Sequence, residues 1–182
     1  CIMFISARDG EGTSSVAASY ALLASKKVSR PTWLIDLDLR RNGAFKAFQN
    51  GFAPGIGQPG RAYDASLKTD PIYATTPAIV HGERQPCDKR LLGVHPIQGT
   101  RLMVTRFRTE QLRKGQRVQL RTRPEWWNRL RKTAGSVIVD APSLSRSSAG
   151  LAMASQMDGV FLVLAADSTG ADSTDALRPM AT

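Results

Sequence analysis

The feature that most narrows what this chain can fold into lies at its start. An apolar run of strand length, Ile2-Met3-Phe4-Ile5, leads through Ser6-Ala7-Arg8-Asp9-Gly10-Glu11-Gly12-Thr13 into a stretch of helical periodicity, Ser14–Lys26. A strand that ends in a glycine-containing loop and feeds straight into a helix leaves unpaired backbone N–H groups at the helix N-terminus. Together with the helix dipole, these make a ready anion site. In the helix, Val16, Tyr20 and Leu23 recur at helical spacing with Ala17 and Ala21 beside them, and Tyr20 reads as a core residue.

Further apolar runs followed by turn signals occur at Thr32–Asp36, Leu102–Thr105, Ser136–Asp140 and Val160–Ala165. Helical patterns occur at Pro124–Thr133, where Pro suits the first helical position, at Ser147–Met157 and at Gly170–Leu177. Strands alternating with helices predict an α/β fold with a mainly parallel sheet flanked by helices. Residues 42–99, rich in Gly and Pro, predict an irregular, loop-rich region within a single domain spanning residues 1–182. Two strands end in acid, Leu34-Ile35-Asp36-Leu37-Asp38 and Val137-Ile138-Val139-Asp140. Because strand C-termini gather on one edge of a parallel sheet, Asp36, Asp38 and Asp140 are expected to face the glycine loop. Carboxylates opposite a phosphate site repel it unless a cation such as Mg²⁺ lies between them.

Composition sets the class. With 42% hydrophobic and 22% charged residues over 182 positions, the chain is ordinary for a globular protein and unlike a disordered one. The longest apolar stretch, Val160 to Ala166, is far short of the roughly 20 residues of a membrane span. Cys1 and Cys87 match no metal-ligand spacing and suit a reducing compartment, so the cytoplasm is the expected location. The chain opens on Cys1 and enters a strand at once, as a domain cut from a longer protein would. Net charge is +10, and the excess is concentrated between Arg106 and Lys132, where ten basic residues face only Glu110 and Glu125. That segment reads either as a solvated loop and outer helix face or as a docking surface for an anionic partner. Trp126 and Trp127 within it read as core and rim residues, or on the second reading as stacking groups.

Three segments carry a resemblance: Gly10-Glu11-Gly12 with its flanks, Asp36-Leu37-Asp38-Leu39-Arg40-Arg41, and Val137–Pro142 followed by Asp158-Gly159-Val160-Phe161-Leu162-Val163. In order and spacing they resemble the Walker A, A′ and B motifs of the bacterial tyrosine kinase (BY-kinase) or capsular exopolysaccharide family. These are P-loop NTPases related to the chromosome-partitioning and division-site ATPases. The likeness covers about the first 41 and the last 47 residues.

The resemblance implies a P-loop NTPase-like fold that takes ATP or ADP with Mg²⁺. It assigns nucleotide contacts to Arg8, Gly10, Glu11, Gly12, Thr13, Ser14 and Ser15, catalytic roles to Asp36 and Asp38, and metal contacts to Ser14, Asp36 and Asp140. Arg40 and Arg41 would sit near a subunit contact in a homo-oligomer. One departure matters most: the family carries Lys after Gly12, and here Thr13 stands in that slot. A lost charge-assisted hydrogen bond costs about 1.5–3 kcal/mol, or one to two decades of affinity. Arg8 is the candidate replacement.

The expectation is therefore a degenerate BY-kinase-like domain with weak or absent hydrolysis, at the cytoplasmic face of the inner membrane. It would regulate synthesis or export of an extracellular polysaccharide, capsule or adhesin by docking to an inner-membrane co-polymerase or export protein, with anionic membrane as a second surface. The alternatives are an active ATPase or protein-tyrosine kinase of the same family, and a partitioning-type ATPase that binds DNA through Arg106–Lys132. Nucleic acid is the weaker partner, since the Asp-Leu-Arg-Arg ending at Arg41 is closer to the polysaccharide family. His81 and His95 read as surface or structural residues, and Ser143–Ser148 as a loop and helix cap.

Overall fold

Alternation along the apolar strands decides the architecture. In Ile2–Ser6, Thr32–Asp36 and Ser136–Asp140, successive side chains point to opposite faces, and both sets are apolar. Met3, Ile5, Trp33, Ile35, Val137 and Val139 enter one core cluster. Phe4, Leu34 and Ile138 enter another. Strands buried on both faces belong in the middle of a parallel sheet covered by helices on each side.

The computed structural model describes residues 1–76 and 89–166, with short strands at 79–80 and 83–84. His81, Cys87 and the expected helix at Gly170–Leu177 lie outside the described residues. In chain order the elements are β1 (Ile2–Ser6), α1 (Thr13–Lys27), β2 (Thr32–Asp36), α2 (Gly43–Gln49), β3 (Tyr63–Asp64), β4 (Tyr73–Thr76), β5 (Ile79–Val80), β6 (Glu83–Arg84), β7 (Leu92–Pro96), β8 (Leu102–Phe107), β9 (Arg117–Leu120), α3 (Pro124–Thr133), β10 (Ser136–Asp140), α4 (Ala149–Ala154) and β11 (Gly159–Val163). Seven strands form one sheet in the order β11-β1-β10-β2-β8-β7-β3. The first five run parallel, and β7 pairs antiparallel with both β8 and β3. The chain is thus α/β, with a mostly parallel sheet flanked by helices.

Helix α1 covers one face through small residues: Ala17, Ala18 and Ala21 are fully buried, whereas Val16, Tyr20 and Leu23 are 42%, 41% and 58% exposed. This corrects the reading of Tyr20 as core. Alanines let the helix backbone approach the sheet closely, so the larger side chains are turned outward, with the Tyr20 ring tilted against Phe4 at 5.4 Å. The opposite face is covered by α3, which starts on Pro124 at its first turn and buries Trp126, Trp127 and Leu130. Both tryptophans are fully buried and pack edge to face at 5.0 Å. Neither ring is available for stacking on a partner.

Residues 42–99 hold more regular structure than long loops with one or two short helices. Besides α2 they supply β3, β4 and β7, and β7 extends the main sheet. Leu92, Gly93 and Val94 are buried there, and His95 accompanies them against the Phe45 ring at 4.7 Å. A glycine and a histidine interrupt the apolar run of β7, which hides it from a reading based on periodicity. Among the described residues no helix is long and apolar enough to cross a membrane.

Candidate functional site

The C-terminal ends of β1, β10 and β2 open into a cleft of about 310 Å³. Its first wall is the loop after β1. Gly10 and Gly12 both have positive φ, 89° and 83°, in the left-handed region that a side chain disfavours. Added Cβ atoms would meet nothing within 4 Å, so the requirement for glycine there is torsional, not steric. Gly12 forms the N-cap of α1, and the first turn carries neither an acidic residue nor a side-chain cap. Its leading N–H groups and positive dipole end therefore serve the cleft. The Glu11 carboxylate folds back to accept the Arg8 backbone N–H at 2.8 Å, which fixes the loop's curvature.

Adjacent parallel strands supply the second wall. Asp36 and Asp140 are register partners across β2 and β10, and both are buried. Asp36 ties down the turn that follows it: one oxygen accepts the Asp38 N–H at 2.8 Å and the other the Ala44 N–H at 3.0 Å. Its own N–H donates to Thr105 Oγ1 at 2.9 Å. Burial, and then the neighbouring Asp140 charge, push the Asp36 carboxyl well above the usual range. Burial likewise raises Asp140 to about 6, helped by Asp38 and opposed by a hydrogen bond from Ser14 and by the Arg146 charge. Asn42, in the left-handed region at φ 51°, anchors the same turn to β8. Its amide donates to Phe107 O at 2.9 Å, and its carbonyl accepts the Phe107 N–H at 2.7 Å.

The structure brings Gly10, Glu11, Gly12, Thr13, Ser14, Ser15, Asp36, Asp38 and Asp140 together as lining of this cleft. Arg8 is exposed and is not among the lining residues. The cations that do line it are Arg41 and Arg146. Sequence reasoning placed Arg41 at a subunit contact and did not single out Arg146, which lies in the serine-rich stretch after Asp140. The only signal would have been a lone arginine just downstream of an acidic strand end. In that stretch the Ser147 hydroxyl, not Ser148, accepts the Ala149 N–H at the start of α4. Thr13 Oγ1 is buried with no hydrogen-bond partner among the described residues.

Among the described residues no three His, Cys, Asp or Glu side chains gather into a ligand set for a metal ion. What the cleft offers a cation is the Asp36 and Asp140 carboxylates, neither in an ion pair among the described residues, and the Ser14 hydroxyl. Mg²⁺ takes oxygen ligands and is commonly held by one or two carboxylates together with substrate phosphates, so these residues fit it.

No protein-family model matches the chain, and no curated protein matches it.

Proposed function

We propose that the chain is a P-loop domain of the BY-kinase-like type whose cleft takes ATP or ADP by its phosphates. It would hydrolyse ATP weakly or not at all, and would act as a regulator of extracellular polysaccharide synthesis or export, docked to an inner-membrane co-polymerase or export protein. The observation that carries the reading is the meeting of residues 10–15, at the N-terminus of α1, with the register-paired Asp36 and Asp140 in one cleft. In this reading the loop N–H groups hold phosphate oxygens, and Ser14, Asp36 and Asp140 hold Mg²⁺. The bound cation supplies neutralisation of phosphate charge. Asp36 orders the turn carrying Asp38, and Thr13 leaves the phosphates without the cation that a lysine would give.

The active-enzyme alternative is favoured by one observation, the presence of Arg41 and Arg146 in the cleft wall. The DNA-binding alternative loses its stacking groups, because Trp126 and Trp127 are buried. Calorimetric titration of the protein with ATP and ADP, with and without Mg²⁺, tests the reading. Weak Mg²⁺-dependent binding is expected, with Thr13→Lys tightening it by about a decade. Absence of binding to both proteins refutes a nucleotide site, and micromolar binding with turnover in the wild type moves the chain to the active-enzyme alternative.

A further inference from the structure

The lining of the cleft includes a ring of alternating charge that joins three parts of the chain. Asp9 Oδ1 accepts from Arg146 Nη1 at 2.8 Å, and Asp9 Oδ2 accepts from Arg41 Nη1 at 3.2 Å. Arg146 Nη2 donates to Asp38 Oδ2 at 2.8 Å, and Arg41 Nε lies 4.0 Å from that same oxygen. All four residues line the cleft. The two carboxylates differ in how firmly they are held. The Asp38 side chain is mostly covered, at 21% exposed, and it also accepts the Arg41 backbone N–H. Asp9 is 55% exposed, makes no other hydrogen bond among the described residues, and precedes Gly10 in its left-handed conformation. The hydrogen bond from Arg41, with the charge of Arg146, holds the Asp9 carboxyl below its usual range.

Resting on the phosphate-binding reading of the cleft, we propose that Arg41 and Arg146 are its phosphate receptors and that Asp9 is a built-in competitor seated on them. An entering phosphoryl group displaces the Asp9 carboxylate from both guanidiniums. The chemistry favours this exchange: a guanidinium fork suits phosphate as well as carboxylate, and a phosphoryl group brings more charge and an additional oxygen. The position of Thr13 makes the exchange matter, since the loop itself contributes no cation and Arg8 lies off the cleft. Exposed Asp–Arg pairs are weak, so the competitor can be displaced, yet it lowers affinity for any weakly held anion.

The test is calorimetric binding of inorganic pyrophosphate and of Mg·ATP to the wild type and to Asp9→Asn, Arg41→Ala, Arg146→Ala and Glu110→Gln. Glu110 also pairs with an arginine but lies outside the cleft, so Glu110→Gln makes the same charge change elsewhere. Asp9→Asn is expected to bind both probes up to about fivefold tighter than Glu110→Gln does. Arg146→Ala is expected to weaken both by about a decade or more, and Arg41→Ala in the same direction. A purely structural role for Asp9, ordering the arginines, would give the opposite sign on Asp9→Asn. That result, or unchanged binding, overturns the proposal while leaving the nucleotide reading intact. Arg146→Ala binding as the wild type does also overturns it. If neither the wild type nor Asp9→Asn binds either probe, the phosphate reading falls along with the proposal. Tighter pyrophosphate but unchanged ATP binding would refute a receptor that engages nucleotide phosphates.

Discussion

Replacing Asp140 by Asn tests the electrostatics of the cleft. Asp140 is buried opposite Asp36, and burial raises its carboxyl from 3.8 to about 6. The folded state therefore holds this proton more tightly than the unfolded chain does. Its contribution to stability is complete below about 3.8 and is lost as pH rises through about 6. The displacement converts to at most roughly 3 kcal/mol of destabilisation once the group is ionised. Asn keeps the shape and an acceptor for Ser14 but carries no charge. Urea denaturation between about pH 4 and pH 8 should show the two proteins equally stable at the acid end. The variant should become more stable by roughly 1–3 kcal/mol at the alkaline end. If the proposed Mg²⁺ site is right, Mg²⁺ should stabilise the wild type above about pH 6 and affect Asp140→Asn much less, because a cation that binds only the folded state adds to its stability. A variant less stable than wild type by the same margin at every pH would refute the reasoning. It would mean that the Ser14 hydrogen bond outweighs the burial of charge and that Asp140 is ionised throughout.

The remaining predictions concern the opposite face of the sheet and the basic segment. Trp126 Nε1 donates to Ala65 O at 2.9 Å, whereas Trp127 Nε1 is buried without a partner among the described residues. Trp126→Phe should therefore cost about 1–3 kcal/mol more than Trp127→Phe in urea denaturation, since only the first leaves a buried acceptor unpaired. Arg113, Lys114 and Arg117 are exposed. If the segment is a docking surface, reversing all three to Glu should leave the melting temperature nearly unchanged while impairing co-sedimentation with anionic vesicles or with partner extracts, measured beside duplex DNA at two salt concentrations. Retained binding in all three assays would return that segment to a solvated loop, and preferential loss of duplex DNA binding would favour the partitioning-type alternative.

What the sequence determined by itself is whatever rests on contacts between near neighbours. The runs at Ile2–Ser6, Thr32–Asp36 and Ser136–Asp140 are apolar through their middle positions on both faces, which marks them as strands buried on both sides. Pro124 marks the start of α3, and Gly10 and Gly12 supply the positive φ that the turn after β1 needs. Strand polarity then carries Asp36, Asp38 and Asp140 to the edge where that loop lies, because parallel strands end together. Only the tertiary structure decided the rest. The buried face of α1 follows the alanines because the sheet lies close beneath them, a distance that helical periodicity does not encode. The strand β7 exists because β8 offers it an edge to pair with, despite a glycine and a histidine in its run. Arg146 reaches Asp9 across 137 residues of chain and Asp38 across 108. An ion pair closed over such separations leaves no mark on the local pattern of either partner, since charge acts through space and the fold alone sets that distance.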